Sequence, residues 1–158
     1  MKKQLISLFI GLIIGAILAL YITFKLSPGM LLIESASPYD FVTTTQKFEA
    51  AVAAEGWRMP AVHDLQATLA NFGKPVKAVK VYEICQPEYA AKILEMSEER
   101  VASTMMPCRV AIYEKAGGRV YISRINSSLM SKAMGGVINE VMSVAFEDTE
   151  KMIENASK

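Results

Sequence analysis

The stretch CRVAIYEKAGGRVYISRI, Cys108 to Ile125, decides the fold. Two runs alternate apolar with polar residues and flank Gly117-Gly118, which pattern predicts two antiparallel strands joined by a tight turn. Successive side chains of a strand point to opposite faces, so Cys108, Val110 and Ile112 share one face and Arg109, Ala111 and Tyr113 the other. The first face is apolar and needs a cover, which the flanking segments must supply.

Working upstream, VKAVKVYEIC (76–85) alternates in the same way and reads as a strand. Pro87 then takes a first helical position, where its missing N–H costs nothing, and PEYAAKILEM turns Ala90, Ile93 and Leu94 inward. SEERVASTMMP, after it, has no clear period. DLQATLANFG (64–73) predicts a short helix capped by Asp64, with Leu65, Leu69 and Phe72 on one face and Gly73 at its end. WRMPAVHDL contains Pro60, which restricts it to an edge strand. TQKFEAAVAAEGW is a helix stopped by Gly56, and YDFVTTT, rich in aromatic and β-branched residues, predicts a short strand. Downstream, GGVINEVMSVAFEDTEKMIENA is amphipathic, with Val137, Val141, Ala145 and Met152 on or near one stripe. Ser127 and Ser128, ahead of it, read as helix caps. Together these segments predict an α+β fold: a two-layer domain with helices packed on a mainly antiparallel sheet. Two βαβ-like passages in succession hint at an internal duplication.

The first residues differ from the rest. Residues 5 to 24 read LISLFIGLIIGAILALYITF, without a charge. A helix of that length spans about 30 Å, the thickness of a bilayer core, and exceeds the apolar stretch of a cleaved signal peptide. The expectation is one transmembrane anchor over 1–26, a linker over 27–38 rich in Pro, Gly and Ser, and the α+β domain over 39–158. Lys2 and Lys3 precede the helix, so the positive-inside rule puts the N-terminus in the cytoplasm. The expected product is a single-pass membrane protein with an extracytoplasmic domain, periplasmic in a Gram-negative bacterium. Gly11 and Gly15 form a G-x-x-x-G pair that could bring two such helices together.

Charge excludes one class of partner. Of 17 basic residues, two precede the anchor, and the remaining 15 face 16 acidic ones with no clustering. A nucleic-acid surface needs a clustered basic patch, so no nucleic-acid role is expected.

EICQPEYAAKIL, MMPCRVAIYEKAGGRVYIS and INSSLMSKAMGGVINEVM together resemble the domain of unknown function 302 family, over roughly residues 39 to 155. The most specific features are Cys85 with Pro87 and Pro107 with Cys108. Gln86 stands where the family often has Asn, a better cap. The resemblance implies an α+β fold, a duplicated plan and a tendency to homodimerise. It implies no activity.

Cys85 and Cys108 lie 23 positions apart, which fits neither C-x-x-C nor a zinc-ligand spacing. Three readings stay open. In an oxidising compartment the pair could be bridged, if the strand ends that carry them coincide. As free thiols they form a ligand or redox candidate: Cys85 precedes a helix N-terminus and Arg109 adjoins Cys108, and positive charge lowers a thiol pKa. Met105, Met106 and Cys108 also form a soft donor set of the kind that suits Cu(I). The third reading is plain core packing, because free Cys is among the most buried residue types. His63 beside Asp64 is not a dyad, since neighbours on an extended chain face opposite ways. No phosphate loop, nucleophile elbow or metalloprotease motif is present. The expected function is therefore a membrane-anchored, extracytoplasmic small-ligand or partner-binding module rather than an enzyme, whose cofactor the sequence does not name. The alternative is a thiol-redox or soft-metal protein using Cys85 and Cys108.

Overall fold

The computed structural model describes residues 2–158, with side chains for 10–23 and 29–158. Helix α1 spans Lys2–Leu31. It leads directly into strand β1, Leu32–Ala36, and helix α2, Phe41–Ala54, follows. Strand β2 is Arg58–Asp64, α3 is Leu65–Ala70, β3 is Val79–Cys85 and α4 is Pro87–Leu94. A 3-10 helix over Glu99–Met105 precedes the hairpin of β4, Cys108–Glu114, and β5, Val120–Ile125. A five-residue helix α5, Ser127–Ser131, and the long α6, Gly136–Ala156, complete the chain.

The strands form one antiparallel sheet in the order β1-β5-β4-β3-β2. The hairpin sits at its centre, as its alternation predicts. Val110, Ile112, Val120 and Ile122 point to the helix layer and are fully or almost fully buried. They meet Phe48 and Val52 of α2 and Ala145, Met152 and Ile153 of α6 in one core. Phe48 anchors this core, its ring edge-on to Tyr82 at 5.3 Å. Ile93 of α4 and Ala102 of the 3-10 helix join Ile138, Val141 and Met142 of α6 in a second cluster. This is the expected α+β sandwich of helices on one sheet face. The other face carries polar groups: Glu83 accepts from His63 and Arg109, each at 3.2 Å, and Glu34 pairs with Lys115 at 2.6 Å and with the Tyr113 hydroxyl.

Several local expectations hold. Pro60 lies on the edge strand β2, where the pairing shifts register between Arg58 and Ala61. Asp64 caps α3 by accepting from the Ala67 N–H at 2.8 Å. Pro87 opens α4.

Others are corrected. YDFVTTT is not a strand: Asp40 accepts from the Thr43 N–H at 2.7 Å and starts α2 there. Thr44 and Thr45 return their hydroxyls to the backbone carbonyls of Asp40 and Val42, a helical pattern that outweighs their β-propensity. The expected linker over 27–38 is occupied by the end of α1 and by β1, which pairs with β5 from Leu32↔Ile125 to Ala36↔Tyr121. Pairing with an edge strand orders a stretch whose composition alone reads as irregular. Asn126, not Ser127 or Ser128, caps α5, accepting from the Leu129 N–H at 3.0 Å.

The transmembrane anchor over 1–26 and the single-pass, extracytoplasmic localisation built on it are also corrected. Among the described residues, no helix is long and apolar enough to cross a membrane. The part of the apolar run whose side chains are described is 10–23, which at 1.5 Å per residue covers about 21 Å, short of the roughly 30 Å of a bilayer core. The rest of that run, 5–9 and 24, lies outside the residues with described side chains.

Candidate functional site

Three elements end at one corner of the sandwich. The 3-10 helix hands the chain to β4 through Met105, Met106 and Pro107; β5 ends at Ile125; and α5 turns back against α6. They enclose a cavity of about 320 Å³. Its apolar wall comes from Met105, Pro107, Ile125, Met130, Met142 and Phe146. Its polar groups are Thr104, Arg124, Ser127 and Thr149; Arg109 also lines it while its guanidinium pairs with Glu83, and Cys108 completes the wall.

Arg124 governs the electrostatics of this cavity. It occupies the third inward position of β5, after Val120 and Ile122, and its side chain is only 6% exposed. A charge so buried requires a partner. Glu150 of α6 supplies it: the Arg124 Nε donates to Glu150 Oε1 at 2.6 Å, and Nη2 donates to Oε2 in the second arm of a fork. Nη1 donates to Ser35 Oγ of β1 at 2.6 Å. Three of five guanidinium N–H groups are thus satisfied, and two have no protein partner among the described residues. The carboxylate cancels the positive charge, so the cavity has a polar end without a net charge there.

The hydroxyls are oriented by the backbone. Thr149 donates to the Ala145 carbonyl at 2.8 Å, Thr104 to Val101 at 3.3 Å and Ser127 to Met142 at 3.4 Å. Each has given away its hydrogen and keeps lone pairs only. Donors left for a guest therefore belong to Arg124 and to Arg109, whose guanidinium pairs with Glu83, and acceptors to the three hydroxyls.

The two cysteines sit at the inner wall. Both are free. Cys108 is paired in register with Ile84, so Cys85 is its diagonal rather than its direct neighbour. Both line a second, narrow pocket of about 20 Å³ that shares Pro107, Cys108 and Met142 with the large cavity. Burial pushes the Cys108 thiol up to about 11, with Cys85 beside it adding to the shift. Burial likewise raises Cys85. The helix N-terminus after Cys85 therefore does not yield a low-pKa thiol, because loss of hydration works against the anion more strongly. Arg109 gives no help: it alternates away from Cys108 to the other sheet face and binds Glu83.

The soft donor set expected from sequence is divided. Met105 lines the large cavity, Met106 the narrow pocket, and Cys108 both. Among the described residues, no group of three or more His, Cys, Asp and Glu side chains is arranged to hold a metal ion. Sequence reasoning missed Arg124, Glu150, Met130, Met142 and Phe146. One signal was there to be read: Arg124 is a charge on the inward parity of VYISRI, where a strand needs an apolar residue.

A family model described as "Domain of unknown function DUF302" matches residues 33–157. The fold is similar to that in "Crystal structure of uncharacterized conserved protein DUF302 from Bacillus stearothermophilus", with a TM-score of 0.72 at 16% identity, covering 80% of this chain and 98% of that one. No curated protein matches the chain.

Proposed function

We propose that this chain, which belongs to the DUF302 family, is a small-molecule binding module whose guest is neutral and largely apolar. The observation that carries this reading is the pairing of Arg124 with Glu150 inside a cavity walled by methionine and phenylalanine. A volume near 320 Å³ lies at the lower end of the range for small-ligand pockets, about 300–1,000 Å³. Thioether side chains adapt to irregular apolar shapes. An anionic guest finds the counter-charge of Arg124 already taken by Glu150 and that of Arg109 by Glu83. A neutral guest with one acceptor meets the two N–H groups of Arg124, and a donor on the same guest meets the spent hydroxyls.

The test uses the neutral fluorophore N-phenyl-1-naphthylamine and its anionic analogue, anilinonaphthalene sulfonate. Ile10, Ile14, Ile17 and other exposed apolar side chains of α1 will bind either dye weakly, so the comparison is between variants of the full chain. Met130 is 39% exposed at the cavity wall, and Met130→Trp should fill it without disturbing the core. The saturable, tighter phase of the neutral dye should weaken at least tenfold in Met130→Trp, and the anionic dye should lack that phase. Equal neutral-dye binding by both proteins, or a preference for the anion, would overturn the reading.

A further inference from the structure

The narrow pocket behind Cys108 has a chemistry of its own. Its volume of about 20 Å³ suits one water molecule or one ion. A buried water requires two to four hydrogen-bonding partners. The wall here offers almost none: Gln86 and Tyr89 line it, but the Tyr89 hydroxyl donates to Asp148, and the surface presented is nearly all apolar, from residues such as Trp57, Ile84, Ile93 and Val141. What it does offer is four sulfur-bearing residues, Cys85, Cys108, Met106 and Met142. They come from four different places: the end of β3, the start of β4, the turn before it and the middle of α6.

From this juxtaposition we propose that the pocket is a binding site for a soft monovalent cation of the Cu(I) type, held by the thiolate of Cys85 and the thioether of Met106, with Met142 closing the site and Cys108 staying a neutral thiol at its wall. Thiolate and thioether donors select Cu(I) over harder ions. Charge makes the same selection. One thiolate and one monovalent cation sum to zero, which an apolar wall accepts, whereas a divalent ion with the same donors leaves a positive charge buried without a partner. The binding step balances: the Cys85 S–H bond breaks, a Cys85 sulfur–copper bond forms, and the one proton passes to solvent with no change of oxidation state, while the Met106 thioether adds a lone pair and loses nothing. The β3–β4 register sets the backbone distance, and Cys85, the last residue of β3, reaches the same pocket wall as Cys108. Ile84 stands opposite Cys108, and standard strand spacing brings the Cα of the next residue, Cys85, to about 6 Å from that of Cys108. The site shares Pro107, Cys108 and Met142 with the guest cavity, but its ligands Cys85 and Met106 line only the narrow pocket, so the two can be tested apart.

The full chain is reduced, made anaerobic and titrated with Cu(I) buffered by bathocuproine disulfonate. One ion per chain should be withdrawn from the chelator. Cys85→Ser and Met106→Leu should each weaken that binding at least tenfold, and a tenfold excess of Zn(II) should not displace the ion. Met106→Leu nearly conserves volume, so it carries the test even if Cys85→Ser fails to fold. Failure of the wild type to compete with the chelator, wild-type affinity in Met106→Leu, or displacement by Zn(II) would overturn the site. Binding of the neutral dye by Met106→Leu should equal that of wild type, which separates failure here from failure of the cavity reading.

Discussion

Removing Glu150 while keeping Arg124 should be among the more damaging single changes a partly exposed residue can suffer here. Breaking a buried ion pair by deleting one partner costs about 3–5 kcal/mol, because the remaining charge is uncompensated. Arg124 is 6% exposed, but Glu150 is 35% exposed, so water can replace part of the lost interaction. For Glu150→Gln the cost should therefore fall to roughly 2–3 kcal/mol. Arg124→Met keeps the aliphatic stem, leaves a carboxylate that can turn toward water, and loses the bond to Ser35. Its cost should be roughly 1–2 kcal/mol. In the double variant no charge is stranded, and Met fills an apolar site, so the two losses should not add. A coupling of about 2 kcal/mol is expected, within the range for residues in one network. Urea unfolding of the four proteins measures it through shifts in midpoint at constant slope. In thermal unfolding, Glu150→Gln should lower the midpoint by about 4–12 °C for a chain of this size. Single effects that sum to the double within about 0.5 kcal/mol would show that the pair does not act as a unit and that the cavity end is not neutralised as argued.

Phe48 is fully buried against Tyr82, and Phe48→Ala should cost about 3–5 kcal/mol in urea unfolding, with a loss below about 1.5 kcal/mol excluding its role as core anchor. Asp40→Ala removes the α2 cap and should cost about 1 kcal/mol by the same measurement, while Asp40→Asn, which can still accept from Thr43, should retain most of it. Glu34 is held below the usual carboxylate range by Lys115 and then Tyr113, and Glu83 by His63 and then Arg109. Each folded pKa lies below its unfolded value, so their stabilisation is present at neutral pH and is lost as pH falls below about 4.5 and through the lowered values; unfolding midpoints independent of pH from 6 to 3 would contradict this. Cys108, with its thiol raised to about 11, should resist iodoacetamide at pH 8 in the Cys85→Ser protein and react only as pH climbs toward that value, as counted by mass spectrometry.

The fold was legible where its signals are local. Alternation in CRVAIYEKAGGRVYISRI names two strands because the side-chain period of a strand is two, whatever surrounds it. Asp64 and Pro87 mark helix starts because capping is settled within one turn. Two local readings failed for the opposite reason. YDFVTTT carries β-branched residues that favour a strand, yet Asp40 and the hydroxyls of Thr44 and Thr45 offer the backbone a helical start. Leu32–Ala36 has little pattern of its own and becomes a strand because β5 presents a free edge to it. The apolar run at the N-terminus reads as a bilayer span by length and composition, while no helix among the described residues is long and apolar enough to cross a membrane.

The candidate site was legible only in fragments. Cys85, Cys108, Met105 and Met106 stand out as residue types, and strand periodicity places Cys108 on the inward face. Sequence alone thus determined the central hairpin, the helix starts and the face that Cys108 takes, because each depends on neighbours a few residues away. Only the tertiary structure decided which chemistry those residues share. Ser35 reaches Arg124 across 89 residues, and Glu150 across 26, through the order of strands and the packing of α6. That same packing separates Met105 from Met106, adjacent in the chain, into two different pockets. Burial then raises the thiols that, on the sequence alone, the helix N-terminus and Arg109 are placed to acidify. Solvent exclusion is a property of the assembled layers, and no run of residues contains it.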